Sequence, residues 1–179
     1  RRGGSLGKSF LFVYSSFCFE SELDDQIVIM QSPDFDISVS PARPQDAVEL
    51  TRIAHAAKQH WGYPDAWMAI WRDQLTITPA DLAAQATFVA RAGDQSLGFC
   101  ALSQRDDVAC LEHFWVLPQA MGRGVGRALF EQAVGQAPGD GTVLFEVQSD
   151  PNAAGFYQRM GCQPAGEHIY DLAGQPRHL

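Results

Sequence analysis

The sequence has little positive charge. Thirteen Lys and Arg stand against twenty-one Asp and Glu, a net charge of −8. A dedicated nucleic-acid binder carries a basic face, so a nucleic-acid partner is not expected. An acidic surface suits a cationic small molecule, and it is equally the ordinary surface of a soluble protein. Cysteine is sparse: Cys18, Cys100, Cys110 and Cys162 form no C-x-x-C pair and have no His at zinc spacing. That pattern predicts reduced thiols in a cytoplasmic protein, with neither a metal site nor a disulfide framework. No apolar run reaches the roughly 18 residues that cross a bilayer, so no membrane partner is expected. Internal repeats, low-complexity tracts and a second-domain linker are also missing. What is present is 179 residues, 46% hydrophobic and 19% charged. That is enough apolar material for one core, in a length typical of one domain.

Residues 1–29 do not match the rest. Arg1, Arg2 and Lys8 precede the apolar run Phe10 to Phe19, and Glu20, Glu22, Asp24 and Asp25 follow. A basic start before an apolar run has the composition of a secretory signal, but no small-x-small cleavage site follows and acids do. The expectation is an upstream extension, non-native or flexible, ahead of a domain that spans 30–179. The extension holds three basic and four acidic groups, so the acidity belongs to the domain.

Along that domain, Asp36 to Pro41 alternates apolar and polar and reads as a short strand. Pro44 opens a helix whose apolar stripe is Leu50, Ile53, Ala54, Ala57 and Trp61. Gly62 and Pro64 end it, and Asp65 caps a second helix that carries Trp67, Ile70, Trp71 and Leu75. Thr78-Pro-Ala-Asp81 opens a third, short one. Thr87–Arg91, Ser96–Ser103 and Val108–Val116 read as strands whose connections are too short for crossovers, hence an antiparallel meander. Then follow a helix over Gly122–Gln136, a strand over Thr142–Val147, a helix over Asn152–Met160 and a strand over Gln163–Tyr170.

Chemistry concentrates where the meander meets the next helix. Gly122-Arg-Gly-Val-Gly-Arg127 joins a strand end to a helix start. Glycines allow positive φ and close backbone approach. The helix start supplies free N–H groups and a positive dipole end. With Arg123 and Arg127, this makes an anion site suited to a pyrophosphate. It is no P-loop, because Gly-Lys-Ser/Thr is missing. A dinucleotide fingerprint needs G-x-G-x-x-G, and position 127 is Arg. Glu146 does lie about 20 residues on, where a ribose-binding acid belongs. Yet the loop comes late, after three antiparallel strands, and too little chain follows for a doubly wound domain.

Phe114-Trp-Val-Leu-Pro118, Gly122 to Arg127, and Asp150-Pro-Asn-Ala-Ala-Gly-Phe-Tyr157 with Gly161 together resemble the GNAT superfamily of N-acetyltransferases, bacterial in type. The segment from His60 to Asp73 is also similar. The resemblance covers Asp36 to Tyr170 and implies an α/β (α+β) fold: a mixed, mostly antiparallel sheet of about six strands flanked by helices. The motif's Gln/Arg position falls on Met121, which puts a side-chain contact there in doubt. The family's seventh strand has only Asp171 to Leu179 left, where Gly174 and Pro176 make a poor strand. Either that strand is missing or something else, Phe10 to Phe19 being one guess, takes its place.

The resemblance implies acetyl-CoA as co-substrate, no metal, a direct transfer to the primary amine of a small molecule, and compatibility with a homodimer. Gly122, Arg123, Gly124, Val125, Gly126 and Arg127 would hold the pyrophosphate. The strand edge at Phe114, Trp115 and Val116 would pair with the pantetheine arm, with an N–H there, that of Val116, polarising the carbonyl. Tyr157 takes the place of the general acid toward the leaving thiolate. Asn152 is either a cofactor contact or the N-cap after Pro151. For the base, Glu112 leads, as a carboxylate on a strand face with Val108, Cys110, Phe114 and Val116. An apolar face raises a carboxyl pKa toward neutrality, although the same position also fits an exposed strand residue. Glu146 is second, and a water chain is the alternative to both. His60, Tyr63 and Asp65, in a broken loop, form a candidate exposed acceptor rim, aromatic and acidic, suited to a cationic amine such as a polyamine or aminoglycoside. Two other classes remain: a non-catalytic acyl-CoA-binding sensor and an NAD-dependent oxidoreductase.

Overall fold

The computed structural model describes residues 10–13, 36–105, 108–136, 144–166, 169–172 and 175–178. Alternating and apolar stretches separated by tight turns make its centre. Ala86–Ala92, Gln95–Arg105 and Val108–Val116 form the expected antiparallel meander, with Gly93 at φ +55° in the first turn. Numbered in chain order, the strands are β1 (Phe10–Val13), β2 (Ser38–Pro41), then these three as β3, β4 and β5. They continue with β6 (Leu144–Ser149), β7 (Gln163–Gly166), β8 (Ile169–Leu172) and β9 (Gln175–His178). The helices are α1 (Ala47–Gln59), α2 (Asp65–Trp71), α3 (Pro79–Ala84), α4 (Val125–Gln136) and α5 (Ala154–Arg159).

One sheet has seven strands in the order β2-β3-β4-β5-β6-β1-β7, and β8 with β9 forms a separate hairpin. Among the described strands only β5 and β6 pair in parallel, α4 carrying the chain across between them. The amphipathic helices cover both faces. On one, α1 packs over β4 and β5 and buries Leu50 and Ile53 completely. On the other, α4 lies over β3 and β4, with Leu129 and Phe130 buried and the Leu129 carbonyl 3.7 Å from the Cys100 thiol. Each fully buried Leu, Ile or Phe contributes about 1.5–3 kcal/mol of transfer free energy. α3 begins as its sequence predicts: Thr78 Oγ1 accepts from the Asp81 N–H at 3.2 Å, and the Asp81 carboxylate accepts from the Thr78 N–H at 2.8 Å.

The structure departs from the expectations in four places. The helix expected from Gly122 begins at Val125, because Gly122 and Gly124 sit at φ +76° and +86°, outside the right-handed helical region. The single strand expected over Gln163–Tyr170 is two, β7 and β8, in different sheets. The chain end does form a strand despite Pro176, but it pairs with β8 rather than the main sheet. The sheet is not short of a strand. Phe10–Val13 lies between β6 and β7, antiparallel to both, so the expected six strands become seven. The rest of the expected extension and Cys18 lie outside the described residues.

Candidate active site

The register of β5 builds a cleft. β5 and β6 pair from Val108↔Leu144 to Leu111↔Val147. β5 then runs on to Val116 beside β4 alone, so among the described residues Glu112–Val116 has no strand on its β6 side. The backbone alternation aims this edge. The Leu117 N–H donates to the Leu97 carbonyl at 2.8 Å, and the Trp115 carbonyl faces Gly98 closely. Neighbouring residues of an extended strand point their N–H and C=O groups to opposite sides. Those of Phe114 and Val116 therefore face the cleft, an orphan edge that an extended ligand can pair with as a strand would.

A β-bulge sits at the point of divergence. Ala101 pairs with His113 but Leu102 with Leu111, leaving Glu112 as the extra residue. The bulge turns Glu112 outward. Its carboxylate accepts from Ser103 Oγ at 2.5 Å and from Arg105 Nη2 at 2.9 Å and is not embedded in apolar surroundings. Strict alternation had put it on an apolar face; the inserted residue breaks that alternation. Glu112 and Glu146 are nevertheless brought together, lining one small open cavity with Arg105, Cys110, Leu111 and Gln148.

At the other end of the cleft, Gly122 and Gly124 take the left-handed conformation and α4 starts at Val125. The first-turn N–H groups of α4 have no intrahelical acceptor. Arg123 is exposed beside them, and the exposed Arg127 guanidinium is paired with Glu131 at 3.0 Å. Gly126 does a different job: a Cβ there would stand 3.1 Å from the Phe156 ring, so its absence lets α5 pack against the start of α4. Met121 holds an extended conformation ahead of the loop.

That close packing places Tyr157. Its ring is 5.9 Å from Phe114, 6.3 Å from Phe130 and 5.2 Å from Phe156, so it lies against the cleft-facing stretch of β5. Burial pushes its phenol far above the ordinary tyrosine value, so it keeps its proton at neutral pH.

The expected acceptor loop divides. His60 and Asp65 are exposed. Tyr63, expected exposed with them, is half-buried and its hydroxyl donates to the Asp150 carboxylate at 2.8 Å. Asn152 Nδ2 donates to the Tyr63 oxygen at 3.0 Å and to Asp150 Oδ1 at 2.9 Å. Asn152 is not the N-cap: Asp150 caps the 3-10 turn Pro151–Ala153 that leads into α5, its Oδ1 accepting from the Asn152 N–H at 3.0 Å, and α5 itself starts after Ala153.

Sequence reasoning missed Lys58. It is buried, its Nζ lies 2.8 Å from Asp150 Oδ2, and it sits 4.3 Å from the Trp71 ring centroid and 5.0 Å from that of Tyr63. Its ammonium thus stands among Asp150, Trp71 and Tyr63, the last of which the sequence had assigned to the acceptor rim. Burial alone would raise the Asp150 pKa, but the charge and hydrogen bond of Lys58, the Asn152 N–H and the Tyr63 hydroxyl hold it below the ordinary value. The signal was present: Lys58 follows Ala54 by four residues, a charge on the buried stripe of α1. His113, near Trp115 Nε1 at 3.3 Å, has its pKa lowered by burial. Among the described residues no group of His, Cys, Asp and Glu could hold a metal ion, and no helix is long and apolar enough to cross a membrane.

A family model for the acetyltransferase (GNAT) domain matches residues 83–163, from the end of α3 to the start of β7. The chain is also 31% identical over 117 residues to the peptidyl-lysine N-acetyltransferase YiaC of Escherichia coli K12, covering 64% of this chain and 73% of that one. The chain belongs to the GNAT acetyltransferase family. It is 34% identical over 86 residues to the peptidyl-lysine N-acetyltransferase YjaB of Escherichia coli K12, covering 48% of this chain and 54% of that one. It thus spans about half the length of the YjaB relatives, 55% of the Salmonella typhimurium protein included. In fold it is similar to a GCN5-related N-acetyltransferase from Ralstonia eutropha JMP134, with a TM-score of 0.63 at 21% identity, covering 77% of this chain and 99% of that one. It is likewise similar to the PaiA N-acetyltransferase from Thermoplasma acidophilum in complex with coenzyme A, with a TM-score of 0.60 at 17% identity, covering 78% and 94%. For this GNAT chain the doubly wound parallel sheet of a dinucleotide-dependent oxidoreductase is excluded, since a single parallel pair stands in an otherwise antiparallel sheet.

Proposed function

We propose that the protein is an acetyl-CoA-dependent N-acetyltransferase acting on a primary amine by direct transfer in a ternary complex. The observation that carries this reading is the cleft between β5 and β6, with the glycine loop at one end and Tyr157 against its edge. The residues present fit acetyl-CoA. First-turn N–H groups of α4 and the Arg123 guanidinium suit a pyrophosphate, and the orphan edge at Phe114 and Val116 suits an amide-bearing pantetheine arm. The peptidyl-lysine names of the relatives and the coenzyme A held by PaiA support the same assignment.

In the proposed reaction the Val116 N–H polarises the thioester carbonyl. A carboxylate of the Glu112–Glu146 pair, directly or through water, takes a proton from the acceptor ammonium. The free amine adds to the carbonyl carbon, forming the C–N bond; the adduct nitrogen gives its second proton to water, and collapse of the adduct restores the carbonyl and breaks the C–S bond. The sulfur leaves with the electron pair and takes the Tyr157 proton, giving coenzyme A and an acetamide. Tyr157 is reprotonated from solvent. Asn152, Tyr63 and Asp150 form one hydrogen-bonded cluster ahead of α5, and the exposed His60 and Asp65 are assigned in this reading to the acceptor rim.

Charge supports one acceptor class. Glu146, with Glu112 paired to Arg105 beside it, supports a cationic amine, either a small polyamine-like molecule or a lysine side chain, the group the relatives' names point to. A thiol-release assay with acetyl-CoA tests the reading over polyamines, aminoglycosides, amino-acid derivatives and lysine peptides. Release with at least one amine is expected. Tight coenzyme A binding by calorimetry without release from any amine would instead mark an acyl-CoA sensor.

A further inference from the structure

We infer that the gap between β6 and β7 is a strand-binding slot, and that Phe10–Val13 is its dissociable occupant. The inference stands whether or not the cleft transfers acetyl. It starts from what each strand is paired with. β7 pairs with β1 alone, so among the described strands nothing else joins it to the main sheet. β6 pairs with β5 only as far as Val147, and beyond it Gln148 and Ser149 pair only with Leu11 and Phe10. Those two residues form the β6 wall of the cleft after the strands diverge. A four-residue segment from far upstream thus holds both the cleft wall and the strand that follows α5.

The attachment is built to be weak on one side. Phe12 stands opposite Pro164, which has no N–H to give the ladder, and the register shifts between Leu11 and Phe12. Four residues flanked on both edges make a strand-addition contact in which main-chain hydrogen bonds supply the affinity. Chain length allows it. β1 and β2 are five strand positions apart, about 24 Å at the usual inter-strand spacing. Residues 14–37 join them, and a chain of that length reaches about 80 Å when extended. The occupant can leave and return without disturbing the meander, which pairs at the far side of β5.

Two experiments on the full chain test this. In the first, a protease site is inserted between Ser21 and Glu22 and the purified protein is cut. The expected result is that the two pieces co-elute on size exclusion. A fluorescein-labelled synthetic peptide of residues 5–17 then exchanges into the slot, read as a rise in anisotropy that excess unlabelled peptide reverses. In the second, Leu11→Pro in the uncut chain is followed by hydrogen–deuterium exchange. Amides of 146–149 and of Ala165 and Gly166 should exchange faster by about tenfold or more, while those of β3 and β4 keep their protection. Separation of the cut piece with β6 and β7 protection unchanged would overturn the inference. So would a peptide that never exchanges, or a Leu11→Pro chain that loses protection in β3 and β4 as well.

Discussion

Tyr157 and Lys58 are both polar side chains drawn into the interior, and their neighbours give them opposite tasks. Tyr157 is packed among Phe114, Phe130 and Phe156, where burial holds its proton, and in the proposed reaction it is the general acid. A general acid of this kind contributes about 10²–10⁴-fold. Tyr157→Phe should therefore lower turnover by about 10²-fold or more, with coenzyme A affinity within about twofold by calorimetry. Lys58 has no such role; it neutralises Asp150 beneath a roof of aromatic rings. Lys58→Met leaves a buried carboxylate without its countercharge and should cost about 3 kcal/mol in denaturant unfolding at pH 7. The pH dependence carries a sign. The folded pKa of Asp150 lies below its unfolded value, so its contribution is full above about pH 4 and is lost as pH falls through the folded pKa. Removing Lys58 leaves burial to raise that pKa, so the loss of stability between pH 5 and pH 3 should be shallower in Lys58→Met than in the parent.

Elements meet here through glycines whose roles differ by position. Gly98 on β4 faces the Trp115 carbonyl, and a Cβ there would lie 2.7 Å from that oxygen. Backbone cannot yield as a side-chain tip does, so Gly98→Ala should destabilise by about 1–3 kcal/mol, measured as a lower Tm. Gly122 meets nothing; its demand is its φ of +76° alone. Gly122→Ala should cost about 1–2 kcal/mol of backbone strain and weaken coenzyme A binding, because the loop would rotate its N–H groups away. The helix stripes, the meander and the glycine loop were all legible, since 3.6-residue and two-residue periods survive in the letters. The bulge at Glu112 was not. An inserted residue leaves no mark in an alternating pattern until the partner strand is known, and the face assigned to Glu112 depended on it. Tyr63 was legible as an aromatic in a broken loop, but its burial depends on Asp150, 87 residues away.

For the whole molecule, the thiols report on global opening. Burial pushes Cys100 up to about 12 and Cys162 to about 11, and raises Cys110 as well. All three are buried and free. At pH 8 these three should resist iodoacetamide in the native state and react together in denaturant, by mass spectrometry; early modification of Cys162 alone would reveal local opening next to α5. The net charge of −8 also acts at this scale. It repels an anion such as coenzyme A at long range, so in the proposed function binding would rest on donors at the start of α4.

The sequence by itself determined the antiparallel meander, the helices that flank it, the glycine loop ahead of α4 and the family. Those follow from local periodicity, glycine conformation and short-range spacing, which need no partner. Tertiary structure alone decided that Lys58 fills the aromatic pocket, that Glu112 is turned outward, and that Phe10–Val13 completes the sheet between β6 and β7. Each of these is a pairing between segments far apart in the chain. Its outcome depends on which strands diverge and which gap remains open, and no single stretch of sequence contains that information.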